Sequence, residues 1–296
     1  MTRIAYLIIA HTNFNQLAIL VDLLTLDTDD FCYICIDYKS HNYKLINSFK
    51  SNVTSNKFCI INSSTKISWG GFSMVEVTLE ALAIISKSKQ YFSHIVLLSG
   101  MDLPIKNNKY IHKYLEKNNY EYYLEYFELP NKCWGELGGL DRVKYYWFND
   151  YINYETSAEF VYKQRSYNFC RTFPSCFKKI YGGSQWWIIT PDCAKNIFTF
   201  IEKFPNILHF FRYTFIPDET FFHTIILNLL PIDSGISNNY RLIDWTSGPH
   251  YPRIFDNSDY MRVISSENLF ARKFDMYYNA SIIFNIINYI NPSYIT

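Results

Sequence analysis

The sequence predicts an α/β protein with a Rossmann-like, mostly parallel central sheet flanked by helices. Three observations carry this prediction. Apolar, β-branched runs alternate with segments of helical period through the first 120 residues. The strand candidates are apolar throughout, as strands covered on both faces are. No internal repeat, long linker or low-complexity tract breaks the chain, and 49% hydrophobic residues suffice for a large core. A prior of about 150 residues per domain admits one or two domains, and the unbroken pattern favours a single one over residues 1–296.

The elements follow in order. "RIAYLIIAH" (3–11) reads as the first strand and "FNQLAILVDLLTL" as a helix. "FCYICID" (31–37) and "KFCIINS" (57–63) read as strands. "SMVEVTLEALAIISK" reads as a helix in which Ser73 and Glu76 have capping-box spacing. "HIVLLSG" (94–100) is a strand and "NKYIHKYLEKN" a helix. "YEYYLEYF" and "GGSQWWIIT" (182–190) are strands, "AKNIFTFIEKF" and "ETFFHTIILNLL" helices, and "YRLIDW" (240–245) the last strand. Residues 131–181 are aromatic and basic with little periodicity, and read as an insertion facing the substrate. The tail "ASIIFNIINYINPSYIT" suits a helix that packs on its own domain, or one that touches a membrane.

Composition narrows the function. The net charge of +1 provides no global field for nucleic acid or acidic lipid. Seven Cys without CxxC or metal spacing read as free thiols in a reducing compartment. The apolar core of the N-terminus, "IAYLIIA", is too short for a signal peptide or a span. The expectation is a cytoplasmic protein. The 26 Tyr and 24 Phe suit carbohydrate binding, and equally suit a low-GC genome.

Ligands of open α/β sheets bind beyond the C-terminal strand ends. That rule points to His11, Asp37, Ser99 to Asp102 and the residues after Trp245. In "LLSGMDLPI" Asp102 emerges at a strand tip, either closing a turn or orienting a sugar or nucleotide. GxGxxG and GxxxxGK[ST] are both absent, which argues against a Rossmann dehydrogenase and a P-loop enzyme. "DTDD" (27–30) holds a formal DxD that could bind Mg²⁺ or Mn²⁺. It lies between a helix and the following strand, at the wrong end of the sheet, and reads as a solvated turn. "SGPHYPRIF" (247–255) and "LFARKFD" (269–275) each offer a cation for a diphosphate. In "FIPDETFFHTIILNLL" (215–230), Pro217 suits the first helical position. Asp218 and Glu219 would then sit in the first turn, where the helix dipole favours an ionised carboxylate. They either cap the helix or supply a general base.

"WGGFSMVEVTLEAL", "YFSHIVLLSGMDLPIKNN", "GGSQWWIIT", "IPDETFFHTII" and "LFARKFD" occur in this order. The set resembles the core-2/I-branching β-1,6-N-acetylglucosaminyltransferase family, which includes peptide O-xylosyltransferases, over about residues 3–275. The resemblance implies a GT-A-type fold and an inverting transfer from a UDP-sugar without a metal ion. It divides the domain into a nucleotide-sugar half (about 1–115), an acceptor and catalytic half (about 116–275) and a C-terminal helix (276–296). It implies Glu219 as catalytic base, with Asp218 beside it at the acceptor. It implies Lys273 and Arg253 on the donor diphosphate, with His250 a rival for the second position. Asp37 falls near the nucleoside, Asp102 matches the family's "GMD-x-P-I", and His11 belongs to the same donor end. Trp245, Trp186 and Trp187 are candidates to stack on a sugar, although neighbours on a strand face opposite ways. The expected donor is UDP-N-acetylglucosamine, ahead of UDP-xylose, UDP-glucose and UDP-galactose. The expected acceptor is a glycan, soluble or lipid-linked at the inner face of a bacterial membrane. A non-catalytic carbohydrate-binding protein is the alternative of another class.

Overall fold

The computed structural model describes residues 2–37, 43–118, 120–248 and 251–294. Along the chain run β1 (Ile4–Ala10), α1 (Phe14–Thr25), β2 (Phe31–Ile36), α2 (Tyr43–Asn52), β3 (Phe58–Ile61), α3 (Ser73–Ser86), β4 (His94–Ser99), β5 (Asp102–Pro104) and α4 (Asn108–Lys117). There follow β6 (Tyr122–Glu128), α5 (Leu140–Lys144), α6 (Tyr154–Ser166), β7 (Tyr181–Ile189), α7 (Pro191–Lys203), α8 (Asn206–Arg212) and α9 (Phe221–Leu229). The last elements are β8 (Gly235–Ile236), β9 (Arg241–Ile243), α10 (Tyr260–Ile264), β10 (Phe270–Arg272) and α11 (Met276–Ile290). The protein is thus α/β, as expected. It forms two compact units, one of Met1–Asn62, Lys89–Asn119 and Tyr240–Thr296, the other of Ser63–Ser88 and Tyr120–Asn239.

In the first unit β1 pairs in parallel with β2 and β4, and β2 with β3, giving the order β3-β2-β1-β4. β1 is buried along its whole length, which explains why it carries no polar alternation. Parallel neighbours need a crossover, and α2 supplies the one between β2 and β3. The sequence reading joined those strands directly and missed this helix, whose Phe49 is fully buried. β10 pairs antiparallel with β5 and parallel with β9 in a second, three-stranded sheet. The expectation that "LFARKFD" follows the last strand is thereby corrected: its Phe270–Arg272 is itself a strand. In α11, Ile282, Ile283, Ile286, Ile287 and Ile290 recur at helical spacing and are buried, so this helix packs on its own unit. No helix among the described residues is long and apolar enough to cross a membrane.

In the second unit β6 pairs antiparallel with β7 and parallel with β8. The β6–β7 register breaks between Leu124 and Tyr126. Two glycines serve this strand pair. A Cβ on Gly183 would lie 1.9 Å from the Glu125 carbonyl oxygen, and one on Gly182 2.5 Å from the Trp134 ring. The capping box expected at α3 does not form. Asp150 does that work from outside the helix, accepting from the Phe72 and Ser73 N–H groups and the Ser73 hydroxyl. Glu76 pairs instead with Arg212 at 2.6 Å.

Candidate functional site

In the first unit, the ends of β1, β4 and β10 line a small cleft. His11, Thr12, Ser99, Gly100, Met101, Arg272 and Lys273 form its wall. The Lys273 segment is held firmly. Gln16 on α1 donates to the Gly100 and Phe274 carbonyls and accepts from the Met276 N–H. The Phe274 N–H bonds Met101 O at 2.9 Å, and the Lys273 carbonyl accepts from Phe255. Partial burial, then the adjacent Arg272, lower the Lys273 pKa, while Asp275 and Asp102 partly offset this. Burial and Lys273 likewise lower the His11 pKa, against an upward pull from Asp37. Asp37 stands just past β2, its N–H on the Ala10 carbonyl at 2.9 Å. His11 thus lies within electrostatic reach of both Lys273 and Asp37.

Asp102 is fully buried, which corrects the reading that it meets a sugar or nucleotide. Its carboxylate accepts from the Ser99 hydroxyl at 2.8 Å and the Ser99 N–H at 3.2 Å. It also pairs with Arg241 at 3.2 Å and Arg272 at 3.5 Å. Asp102 closes the turn and neutralises two cations, so its part is to fix Arg272 beside Lys273. Sequence reasoning missed both arginines: Arg241 sits in a run read only as a strand, and Arg272 was passed over for its neighbour.

Arg253 is placed differently from the expectation. It donates to Asp244 at 3.2 Å and to Asp259, and stands 3.7 Å from Asp256. Arg262 also bonds Asp244, at 2.6 Å. Three carboxylates thus engage two guanidiniums, and the Arg253 fork is committed to them. Arg253 is a structural partner of these carboxylates. His250, the alternative, lies outside the described residues. Trp245 is 50% exposed, so one face is open. "DTDD" is not wholly a solvated turn: Asp27 and Asp29 are exposed, but Asp30 is buried. Asp30 accepts from the Ile4 N–H at 2.7 Å and meets His112 at 2.7 Å. The pair lies at the N-terminal end of β2. Six residues of strand, roughly 20 Å, separate it from the strand ends that line the cleft.

The second unit carries the Pro-Asp-Glu motif. Pro217–Glu219 forms a 3₁₀ turn and α9 begins only at Phe221, so the two carboxylates precede the helix instead of opening it. The turn is entered through Ile216 in the left-handed region, φ 48°. A β-branched residue there is strained, and such strain clusters at functional sites. Glu219 is part-buried and bonds Arg142 at 2.7 Å. Burial raises its pKa and Arg142 partly opposes the rise. The dipole setting expected to keep it ionised is thus replaced by an ion pair. Asp218 is buried, and burial together with the Glu219 charge pushes its pKa up to about 7. Asp218 therefore faces the interior more than a ligand. Glu125, at the register break, is also shifted upward by burial and by Glu219.

Trp187 is fully buried against Phe222, with ring centroids 5.5 Å apart, and Trp186 is only 7% exposed. Neither offers an open face to a sugar; both are core. Arg142 was not foreseen, because it lies in the stretch 131–181 whose order comes from α5 and α6 and not from any long period. A larger cleft of this unit, about 680 Å³, is lined by Tyr146, Arg171, Lys203, His209 and Phe210 among others, and by none of the expected site residues.

Comparison with known proteins places the chain. Residues 4–270 match the Core-2/I-Branching enzyme family. Xylosyltransferase 2 of Rattus norvegicus is 23% identical over 96% of this chain and 33% of its own length. Xylosyltransferase 2 of Homo sapiens is 23% identical over 73% of this chain and 25% of its own. The chain thus spans about a third or less of these relatives. Among solved structures, the galactosyltransferase LgtC with donor and acceptor sugar analogs aligns over 91% of this chain and 86% of its own, at 9% identity and a TM-score of 0.39. On the match that runs from β1 into β10, this chain belongs to the core-2/I-branching enzyme family.

Proposed function

We propose that this protein is an inverting glycosyltransferase of GT-A type that moves a sugar from a UDP-sugar to a hydroxyl of a glycan. The Glu219–Arg142 pair carries the reading: a part-buried carboxylate in the Pro-Asp-Glu motif, with its proton affinity raised and its direction fixed. A general base works best with a pKa near the operating pH. Glu219 takes the proton of the acceptor hydroxyl, and the freed oxygen attacks the anomeric carbon. The bond from that carbon to the UDP oxygen breaks, and the leaving diphosphate takes the electron pair. The Lys273 ammonium, with Arg272 behind it, stabilises that negative charge. His11 and Asp37 border the donor, and Trp245 is the remaining aromatic face for a sugar. Arg253 leaves this assignment because its fork is committed to carboxylates.

Transfer without a metal ion is part of the proposal. It is supported by the position of the formal DxD, Asp27 and Asp29, before the N-terminal end of β2, far from the strand ends that line the cleft. The donor is N-acetylglucosamine or xylose; the names of the relatives favour xylose more than the motifs did. The acceptor is a glycan, soluble or lipid-linked on the cytoplasmic face of a membrane. The test is UDP release from a panel of UDP-sugars, with EDTA and with Mn²⁺. Release from one donor that persists in EDTA supports the reading. Release only with Mn²⁺ overturns its metal-free form, and glycan binding without any nucleotide-sugar turnover favours a carbohydrate-binding protein.

A further inference from the structure

We propose that Arg142, held under the Trp134 ring, is the positioning residue that sets the direction and proton affinity of Glu219. The inference rests on the reading of Glu219 as base and extends it to a segment that no motif covers.

Arg142 grips the Pro-Asp-Glu turn at two points. Its carbonyl accepts from the Phe215 N–H at 3.0 Å, just before the turn. Its guanidinium bonds the Glu219 carboxylate at 2.7 Å, at the end of the turn. One residue of α5 therefore fixes both the backbone and the reacting side chain across five positions. The guanidinium is fixed in its turn, lying 3.6 Å from the centre of the Trp134 ring, with the Phe215 ring at 5.9 Å. A cation over an indole face is attracted to it, and burial strengthens the contact.

The chain is built to admit that indole. It meets Phe127 edge-on at 4.8 Å. A Cβ on Gly182 would lie 2.5 Å from the ring, and one on Gly139 2.4 Å. Gly139 also has φ +81°, a conformation open to glycine at little cost. Two glycines from separate elements thus leave room for one ring, whose free face covers one arginine.

The charged groups around Glu219 give the arrangement its consequence. Asp218 and Glu125 are acidic, and the electrostatics of both are coupled to Glu219. Arg142 is the cation that faces it. Without Arg142, burial and two neighbouring carboxylates would all favour the protonated, inactive base.

The experiment is a ¹³C NMR titration of the Glu219 carboxyl in the intact chain, assigned with Glu219→Gln, for the wild type, Arg142→Gln and Arg142→Lys. UDP-N-acetylglucosamine and UDP-xylose consumption is followed across the same pH range. The expected result is a midpoint raised by about one pH unit or more in Arg142→Gln, with the acid limb of turnover moved by the same amount. Arg142→Lys, whose ammonium is a hydrated point charge without the planar fork, is expected to rise less. If Arg142→Gln does not fold, the lysine variant decides by the same sign. A folded variant whose midpoint and acid limb match the wild type, with only a lower rate or stability, overturns the proposal. A moved midpoint without turnover of either donor by the wild type supports the positioning role and rejects Glu219 as base for those donors.

Discussion

Asp102 offers a test of the buried ion cluster that can be worked in magnitude. Replacing it by Asn keeps the side-chain shape and an acceptor for the Ser99 hydroxyl. It removes a charge that Arg241 and Arg272 share. The side chains of Arg241 and Asp102 are fully buried and that of Arg272 is 12% exposed, so water cannot replace the lost partner. Breaking a buried pair by removing one member costs about 3–5 kcal/mol. Ser99→Ala, which removes one hydrogen bond to the same carboxylate, should cost less, about 1.5–3 kcal/mol. Urea unfolding, compared at equal slope, reads both values. A loss below about 1 kcal/mol in Asp102→Asn, the range of exposed pairs, would refute the view that this cluster is desolvated. It would also return Asp102 to the role of ligand contact.

Other outcomes follow from the same geometry. Asp218 has a folded pKa of about 7 against an ordinary 3.8, so the folded state binds the extra proton between those values. Its contribution to stability is complete below about pH 4 and is lost as pH rises through about 7; Asp218→Asn should flatten the stability profile in that window, as chemical denaturation at several pH values would reveal. Lys273→Ala should weaken UDP binding about tenfold or more, given the strength of charge-assisted bonds, with the protein's own melting temperature nearly unchanged; equal UDP affinity would remove Lys273 from the donor site. Trp187→Ala should cost about 3–5 kcal/mol, whereas Trp245→Ala, at an exposed position, should leave stability within about 0.5 kcal/mol and lower only acceptor affinity.

The parallel sheet of the first unit was legible because its strands are buried on both faces, and burial writes itself as uninterrupted apolar runs. α2 was not legible as a helix, since "YKLINSFKSN" is short and polar, and only the rule that parallel strands need a crossover could have demanded it. Glu219 and Lys273 stood out through motif and strand-end position. Their partners did not. Arg142, Arg272 and Arg241 act through contacts between residues up to about 170 positions apart in sequence, for which the sequence carries no local period. Arg253 misled for the same reason: proximity to a proline and an aromatic says nothing about three aspartates folding back on its fork. Trp186 and Trp187 read as sugar platforms because aromatic content does not distinguish a core face from an open one. The carboxylates of "IPDETFF" were assigned to a helix start, but the turn through Ile216 spends those residues before α9 begins.

The central claim is that Glu219 removes the acceptor proton in transfer from a UDP-sugar. The most direct measurement is product formation by Glu219→Gln beside the wild type, with UDP affinity determined on both proteins. The account predicts transfer reduced by about 10²–10⁴-fold, the usual worth of a general base, with UDP affinity within about twofold of the wild type. Transfer retained at near wild-type rate in Glu219→Gln would contradict it.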